Sequence, residues 1–295
     1  MTVLLRHARE HGYAVGYFES WNLESLLAVK DAAEEARSPV IIGFNGGFLG
    51  NRKRKHAENI HIYGRLGRTV AEQASVPVSF ILNEAVDTTL LYEGLKAGFN
   101  VVMHDHEGCS PEEAIRINAD LVREAHKAGA EVEAEIGELP TAQVGGSLLS
   151  SGSKTDPDEA VRFVRATGVD ALAVAVGNVH VLEGRKSKLD FELLAELLRT
   201  VPVPLVLHGG TGIDPEELKK AIRAGVCKIN VGTVLRRRFI DSLKGFLSLN
   251  DVDRLDPGEV TSTGGPHDML VAARAAVAAE VVALMKVFGS ANQEV

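Results

Sequence analysis

Cysteine is scarce. Cys109 and Cys227 are the only two in 295 residues, too few for a disulfide framework, and a reducing, cytosolic setting fits best. Positive charge is also in deficit. Lys plus Arg number 32 against 40 Asp plus Glu, a formal net charge of −8, so no general affinity for nucleic acid or anionic lipid is expected, although a local anion site is compatible with it. A membrane-length apolar run is missing: the most apolar stretch, Met269 to Met285, contains Arg274 and Glu280 and reads as a buried helix. Arg6, His7, Arg9 and Glu10 stand where a signal peptide needs apolar residues, so secretion is not expected. What remains is an ordinary globular composition, 45% apolar and 24% charged.

Short β-branched runs alternate with helical patterns along nearly the whole chain, the signature of successive βα units around a parallel sheet. Eight strands are expected, at Tyr13–Phe18, Val40–Phe44, Val78–Leu82, Asn100–Asp105, Glu131–Ile136, Ala171–Val176, Pro204–His208 and Lys228–Val231. Between them, sets such as Leu90/Leu91/Leu95 and Phe191/Leu194/Leu198 fit one helical face. Ser110-Pro111, Asp156-Pro157 and Asp214-Pro215 each place an N-cap residue before proline at the first helical position, with acids in the first turn. Eight such units without a linker close most economically as a single (β/α)₈ TIM barrel over residues 1–295 with an additional C-terminal helix. A doubly wound sheet would more often show a Gly-rich turn after the first strand, and Phe18-Glu19-Ser20 is not one. Leu139 to Lys154, rich in Gly and Ser, is the longest loop and is expected to be mobile.

In such a barrel, chemistry gathers at the C-terminal ends of the strands. The ionisable and amide residues expected there are Asn83, Glu84, Asp105, Glu135, His180, His208 and Asn230. Two imidazoles at adjacent strand ends, with a carboxylate, suit zinc or another divalent cation and leave a position open for a substrate oxygen. On strand 5 the two-residue period puts Glu133 and Glu135 inside the barrel, where a bare charge is expensive, so an internal Glu133–Lys228 pair is expected. Glu135 and Asp105, nearer the rim, are candidates for metal or substrate contact. Gly209-Gly210-Thr211-Gly212 and Asn230-Val231-Gly232-Thr233 supply free amides and a hydroxyl after strands 7 and 8, where barrels commonly hold phosphate. Arg52-Lys53-Arg54-Lys55, on the same rim, is a candidate second anion contact.

These residues resemble the class II, metal-dependent ketose-bisphosphate aldolases, the fructose- and tagatose-bisphosphate group. The similarity runs from Gly12-Tyr13-Ala14-Val15 to Gly289-Ser290-Ala291-Asn292 and is strongest at Val132–Gly137, Asp170–Gly177 with His180, Leu205–Gly210 and Lys228–Thr233. The resemblance implies zinc on His180 and His208, and the dihydroxyacetone phosphate portion of a substrate on Gly209, Gly210, Thr211 and Asn230, Val231, Gly232 and Thr233. It makes Asp105 and Glu135 second-metal or outer-shell carboxylates, and suggests a homodimer or homotetramer.

Departures cluster at the reaction centre. Where such enzymes carry an aspartate and a histidine after strand 3, this chain reads Asn83-Glu84-Ala85, exchanging a proton-carrying acid for an amide and a histidine ligand for a carboxylate. Glu138 to Gly146 lacks the acidic pair of the mobile loop, Val181 replaces a glycine, Glu19 the strand 1 asparagine, and Gln293 an arginine that would serve a second phosphate. The expected activity is retro-aldol cleavage of a phosphorylated ketose through a metal-stabilised enediolate. Glu84 is either the third ligand or the base, with Glu135 or Asp105 as accessory ligand or proton carrier and Asn83 positioning substrate. The alternatives are a metal-dependent sugar-phosphate isomerase or epimerase and a sugar-phosphate-binding homologue without catalysis; Schiff-base chemistry at Lys228 is disfavoured.

Overall fold

A computed structural model describes residues 1–106, 108–141, 152–180 and 186–295. Its strands β1 (Val15–Ser20), β2 (Val40–Asn45), β3 (Val78–Ala85), β4 (Val101–His104), β5 (Glu131–Ile136), β6 (Ala171–Val174), β7 (Leu205–Leu207) and β8 (Lys228–Val231) pair in parallel, in sequence order, and β1 closes on β8. The chain is therefore a closed (β/α)₈ barrel. Its helices are α1 (Thr2–His11), α2 (Leu23–Ala36), α3 (Gly46–Leu49), α4 (Ile60–Gln73), α5 (Thr88–Ala97), α6 (Pro111–Lys127), α7 (Pro157–Thr167), α8 (Phe191–Thr200), α9 (Pro215–Ala224), α10 (Thr233–Leu249), α11 (Pro257–Thr261) and α12 (Met269–Phe288). No described helix is long and apolar enough to cross a membrane.

The capping signals act as their chemistry requires. Ser110, Asp156 and Asp214 accept hydrogen bonds from the amides of Glu113, Glu159 and Glu216, satisfying donors at the starts of α6, α7 and α9. Strands β5 and β8 have the boundaries that alternation predicts. By contrast, β1 starts and ends two residues later than expected, because Tyr13 and Ala14 are spent leaving α1 and reaching α12, where Ala14 donates to Phe288 O at 3.0 Å.

Helix α1, which no pattern read from the sequence announces, packs Leu4, Leu5 and Ala8 into the cluster that fills the barrel, with Tyr17, Ile41, Ile81, Val101, Met103, Ala173 and Val206. Above that apolar layer the interior turns polar. Lys228 Nζ lies 2.7 Å from Glu133 Oε2, both side chains wholly buried, as the alternation on β5 and β8 predicts. Lys228 also donates to Asn230 Oδ1 at 2.6 Å, so both charges are compensated away from water. Outside the barrel, α12 packs on α2, α10 and β1, and Phe288 stacks on Phe18 at 6.1 Å between centroids.

Gln293 needs a correction. The Asn292 amide donates to Ala36 O at the far end of α2 (2.9 Å), which puts Gln293 at the base of the barrel. Whatever stands at 293 cannot touch a substrate on its own chain's active rim. The expectations for the loop at residues 142–151 and for Val181 lie outside the described residues.

Candidate active site

Strand β3 runs three residues beyond its expected end, and a bulge explains both the length and the site. Ile81 and Leu82 pair with Val101 and Val102, but Ala85 pairs with His104, one residue out of step. Glu84 absorbs the extra residue with φ 52°, an uncommon left-handed backbone for a side chain of this kind. Asn83 and Glu84, which strict alternation would send to opposite faces, both line the pocket at the barrel mouth. Asn45, at the end of β2, donates to Glu84 Oε2 at 2.8 Å, leaving Oε1 to face His208 Nδ1 at 3.2 Å.

His208 follows β7 and is fully buried. Its Nε2 lies 3.1 Å from Glu133 Oε1; a carboxylate only accepts, so Nε2 donates. Nδ1 points to Glu84 and to Glu135 Oε2, the latter 3.0 Å away, but makes no hydrogen bond. His180 is held by its amide, which donates to Pro140 O at 2.9 Å, and its ring centroid is 5.9 Å from that of His208. One ligand atom each from Glu84, His180 and His208 lies within 4.8 Å of the others. Two imidazoles, one carboxylate and a buried Nδ1 without a hydrogen-bond partner are a donor set that fits a divalent cation with an open coordination position.

The electrostatics agree. Burial opposes charge on His208, but Glu135, Glu133 and Glu84 outweigh it and raise its pKa well above the ordinary imidazole value. Burial opposes charge on Glu84 too, yet His208 and His180 hold that carboxyl down at about 2. The centre is built to contain positive charge.

The other expected residues divide. Glu135 joins the cluster through His208, whereas Asp105 sits just past β4 in the wall of a neighbouring cavity that Glu84, Glu135 and His180 also line. Gly209, Thr211, Asn230, Val231, Gly232 and Thr233 line the same pocket as Glu84, His180 and His208. Gly210 does not; it is wedged against β8, where an added Cβ would stand 2.7 Å from Ile229 Cγ2. Gly209 has φ 68° and would drive a Cβ to 2.4 Å from Val179 O, so only glycine makes this turn. Asn83 is buried, with Oδ1 lacking a partner. None of Arg52 to Lys55 lines the pocket; Arg54 is used by Glu58 and Phe48 O.

Sequence reasoning missed Tyr17, Asn45, Phe48 and Arg236, all of which line the pocket. Arg236 grips Glu19 through both terminal nitrogens, Nη1 to Oε2 at 2.6 Å and Nη2 to Oε1 at 2.8 Å. Burial raises the Glu19 pKa against the pull of Arg236. The one sequence signal for Arg236 is its place on the first turn after the Asn230–Thr233 segment.

A parallel barrel with a carboxylate, two imidazoles and free amides gathered on its catalytic face defines a metal-competent barrel enzyme. Residues 1–293 match the model of the family described as fructose-bisphosphate aldolase class-II. A Bacillus subtilis (strain 168) protein named as a probable fructose-bisphosphate aldolase is 35% identical over 302 aligned residues, covering 99% of this chain and 98% of that one. The Escherichia coli (strain K12) protein YdjI is 39% identical over 223 residues, 76% of this chain and 78% of its own. The crystal structure of the Escherichia coli K12 YdjI aldolase superposes with a TM-score of 0.79 at 32% identity, covering 99% of this chain and 97% of that one. The chain belongs to the class II fructose-bisphosphate aldolase family and is an aldolase-type lyase. Enzymes of this family act on sugar phosphates and use a divalent metal.

Proposed function

We propose that the chain cleaves a phosphorylated ketose between C3 and C4, releasing dihydroxyacetone phosphate and an aldehyde, with zinc held by Glu84, His180 and His208. The convergence of those three ligand atoms within 4.8 Å, in a pocket that also contains Gly209 and Thr211, carries this reading. Bound there, zinc supplies a Lewis acid beside the substrate carbonyl.

The protein's own groups do the rest. Glu133 fixes the His208 tautomer and ring plane. Asn45 ties one oxygen of Glu84, which favours a ligand role for that residue over a role as free base. The Gly209–Thr211 turn binds the phosphoryl group beside Thr233 at the N-terminal end of α10, where Val234 N already donates to Thr211 Oγ1 at 3.3 Å. Asn83 orients the C4 hydroxyl but cannot take its proton. We assign that step to Glu135, which lines the adjoining cavity together with Glu84 and His180: its carboxylate receives the hydroxyl proton as the C3–C4 bond breaks, and returns it to C3 of the enediolate. Asp105 lines the adjacent cavity and serves the polar environment of Glu135.

Metal analysis followed by incubation with dihydroxyacetone phosphate in deuterated water tests this. Metal-dependent exchange of one carbon-bound proton, with aldehyde and dihydroxyacetone phosphate as products from a ketose phosphate, is expected. Isomerised sugar with no aldehyde, or tight ligand binding with no exchange, would overturn it.

A further inference from the structure

Glu19, Gly232 and Arg236 form one device in the pocket wall. The Arg236 guanidinium lies 5.1 Å from the Trp21 ring centroid and 4.7 Å from that of Phe48 while it grips Glu19. An added Cβ on Gly232 would stand 2.3 Å from Glu19 Oε2, so the acid occupies space that any side chain at 232 would claim.

Arg236 is the only lysine or arginine among the described residues lining the pocket, and none lines the adjacent cavity. Each terminal nitrogen donates to Glu19, so the guanidinium charge is balanced by a carboxylate whose remaining lone pairs accept hydroxyls, and this wall keeps no uncompensated cation for a second phosphate. Behind the opposite side, outside the pocket lining, Lys186 Nζ reaches Thr211 O at 2.9 Å, bringing a cation to the back of the Gly209–Thr211 turn. Strands β7 and β1 are two apart around the barrel, about 10 Å, a span that a sugar chain bridges.

Resting on the aldolase reading above, we propose that the Glu19–Arg236 pair selects ketose monophosphates. The phosphate lies at the Gly209–Thr211 turn, the remote end is an uncharged polyol whose hydroxyls donate to Glu19, and a second phosphate is turned away because it would have to break a stacked, part-buried ion pair.

The test is calorimetric binding of fructose 1-phosphate and fructose 1,6-bisphosphate to the zinc-loaded protein, with cleavage assayed in parallel. The native protein is expected to prefer the monophosphate by about tenfold or more. Glu19→Gln, which releases the guanidinium, and the shorter Glu19→Asn are each expected to move that ratio about tenfold toward the bisphosphate, and adding Arg236→Met should erase the gain. Equal affinity for the two ligands, binding of neither, or an unchanged ratio in both folded variants overturns the proposal. A shifted ratio without product would leave this selectivity standing and remove the lyase reading; product with an unshifted ratio would do the reverse.

Discussion

Glu133 and His208 meet deep in the barrel, Oε1 to Nε2 at 3.1 Å, on the side of the imidazole away from Glu84 and Glu135. Burial disfavours charge on Glu133, but Lys228 and His208 outweigh it and lower its pKa. The residue the sequence assigns to a structural ion pair thereby also orients the proposed metal ligand, and removing such a partner commonly weakens metal binding about 10–100-fold. Glu133→Gln should lower zinc affinity by that factor in chelator competition. It should also cost about 3–5 kcal/mol in urea unfolding, because Lys228 loses its counter-charge. Adding Lys228→Met should recover most of the stability and none of the affinity.

Proton transfer at Glu135 makes a separate prediction. Glu135→Gln should reduce kcat about 10²-fold or more with little change in KM. Asn83→Asp, which places an acid at a buried position whose oxygen lacks a partner, should raise the rate of the native protein and partly restore that of Glu135→Gln. A Glu135→Gln enzyme with native kcat would move the proton elsewhere.

The base of the barrel predicts a pH dependence. The Met1 amine lies 2.7 Å from Glu131 Oε2, and the Thr2 amide donates to the same carboxylate at 2.9 Å. Burial pushes the Glu131 pKa up, but the amine and Thr2 outweigh it and the net shift is downward. A depressed folded-state pKa contributes stability that is present above the unfolded value, about 4.3, and is lost as pH falls through the folded one. Glu131→Gln should therefore cost about 1 kcal/mol at pH 7, and the gap from native should close below the unfolded pKa. Urea midpoints across that range check it; a constant gap would contradict it.

Thiol chemistry probes the packing. Burial pushes the Cys227 thiol up to about 12, and Cys227 has no exposure, whereas Cys109 is partly exposed. A disulfide reagent should titrate at most Cys109 in the folded protein and both thiols in denaturant. Modification of Cys227 without unfolding would show the lower barrel to be open.

The barrel was legible because alternation and capping are local. Glu133 and Lys228 could be paired across β5 and β8 from period two alone, and Ser110, Asp156 and Asp214 announced their helices. What escaped depends on distant partners. Helix α4 carries Gly64 and Gly67, poor helix formers, yet a Cβ on Gly67 would fall 2.1 Å from the Phe80 ring and one on Gly64 2.5 Å from Ala97 Cβ. Packing, which propensity does not see, chose those glycines. The bulge at Glu84 leaves no trace in composition, so the apolar run alone ends β3 at Leu82. Arg236 was hidden in Arg236-Arg237-Arg238, a run that reads as a solvated helix face until Glu19 is brought beside it. At the site, the residue types at strand ends single out Glu84, His180 and His208 as candidates, while their convergence within 4.8 Å requires the closed barrel.

Zinc titration of the chelated protein, followed by equilibrium dialysis, addresses the proposed centre directly. The arrangement predicts about one tightly bound equivalent per chain, lost in Glu84→Ala, His180→Ala and His208→Ala while all three remain folded. Undiminished zinc binding in those three folded variants, or none in the native protein, would contradict a centre built from Glu84, His180 and His208.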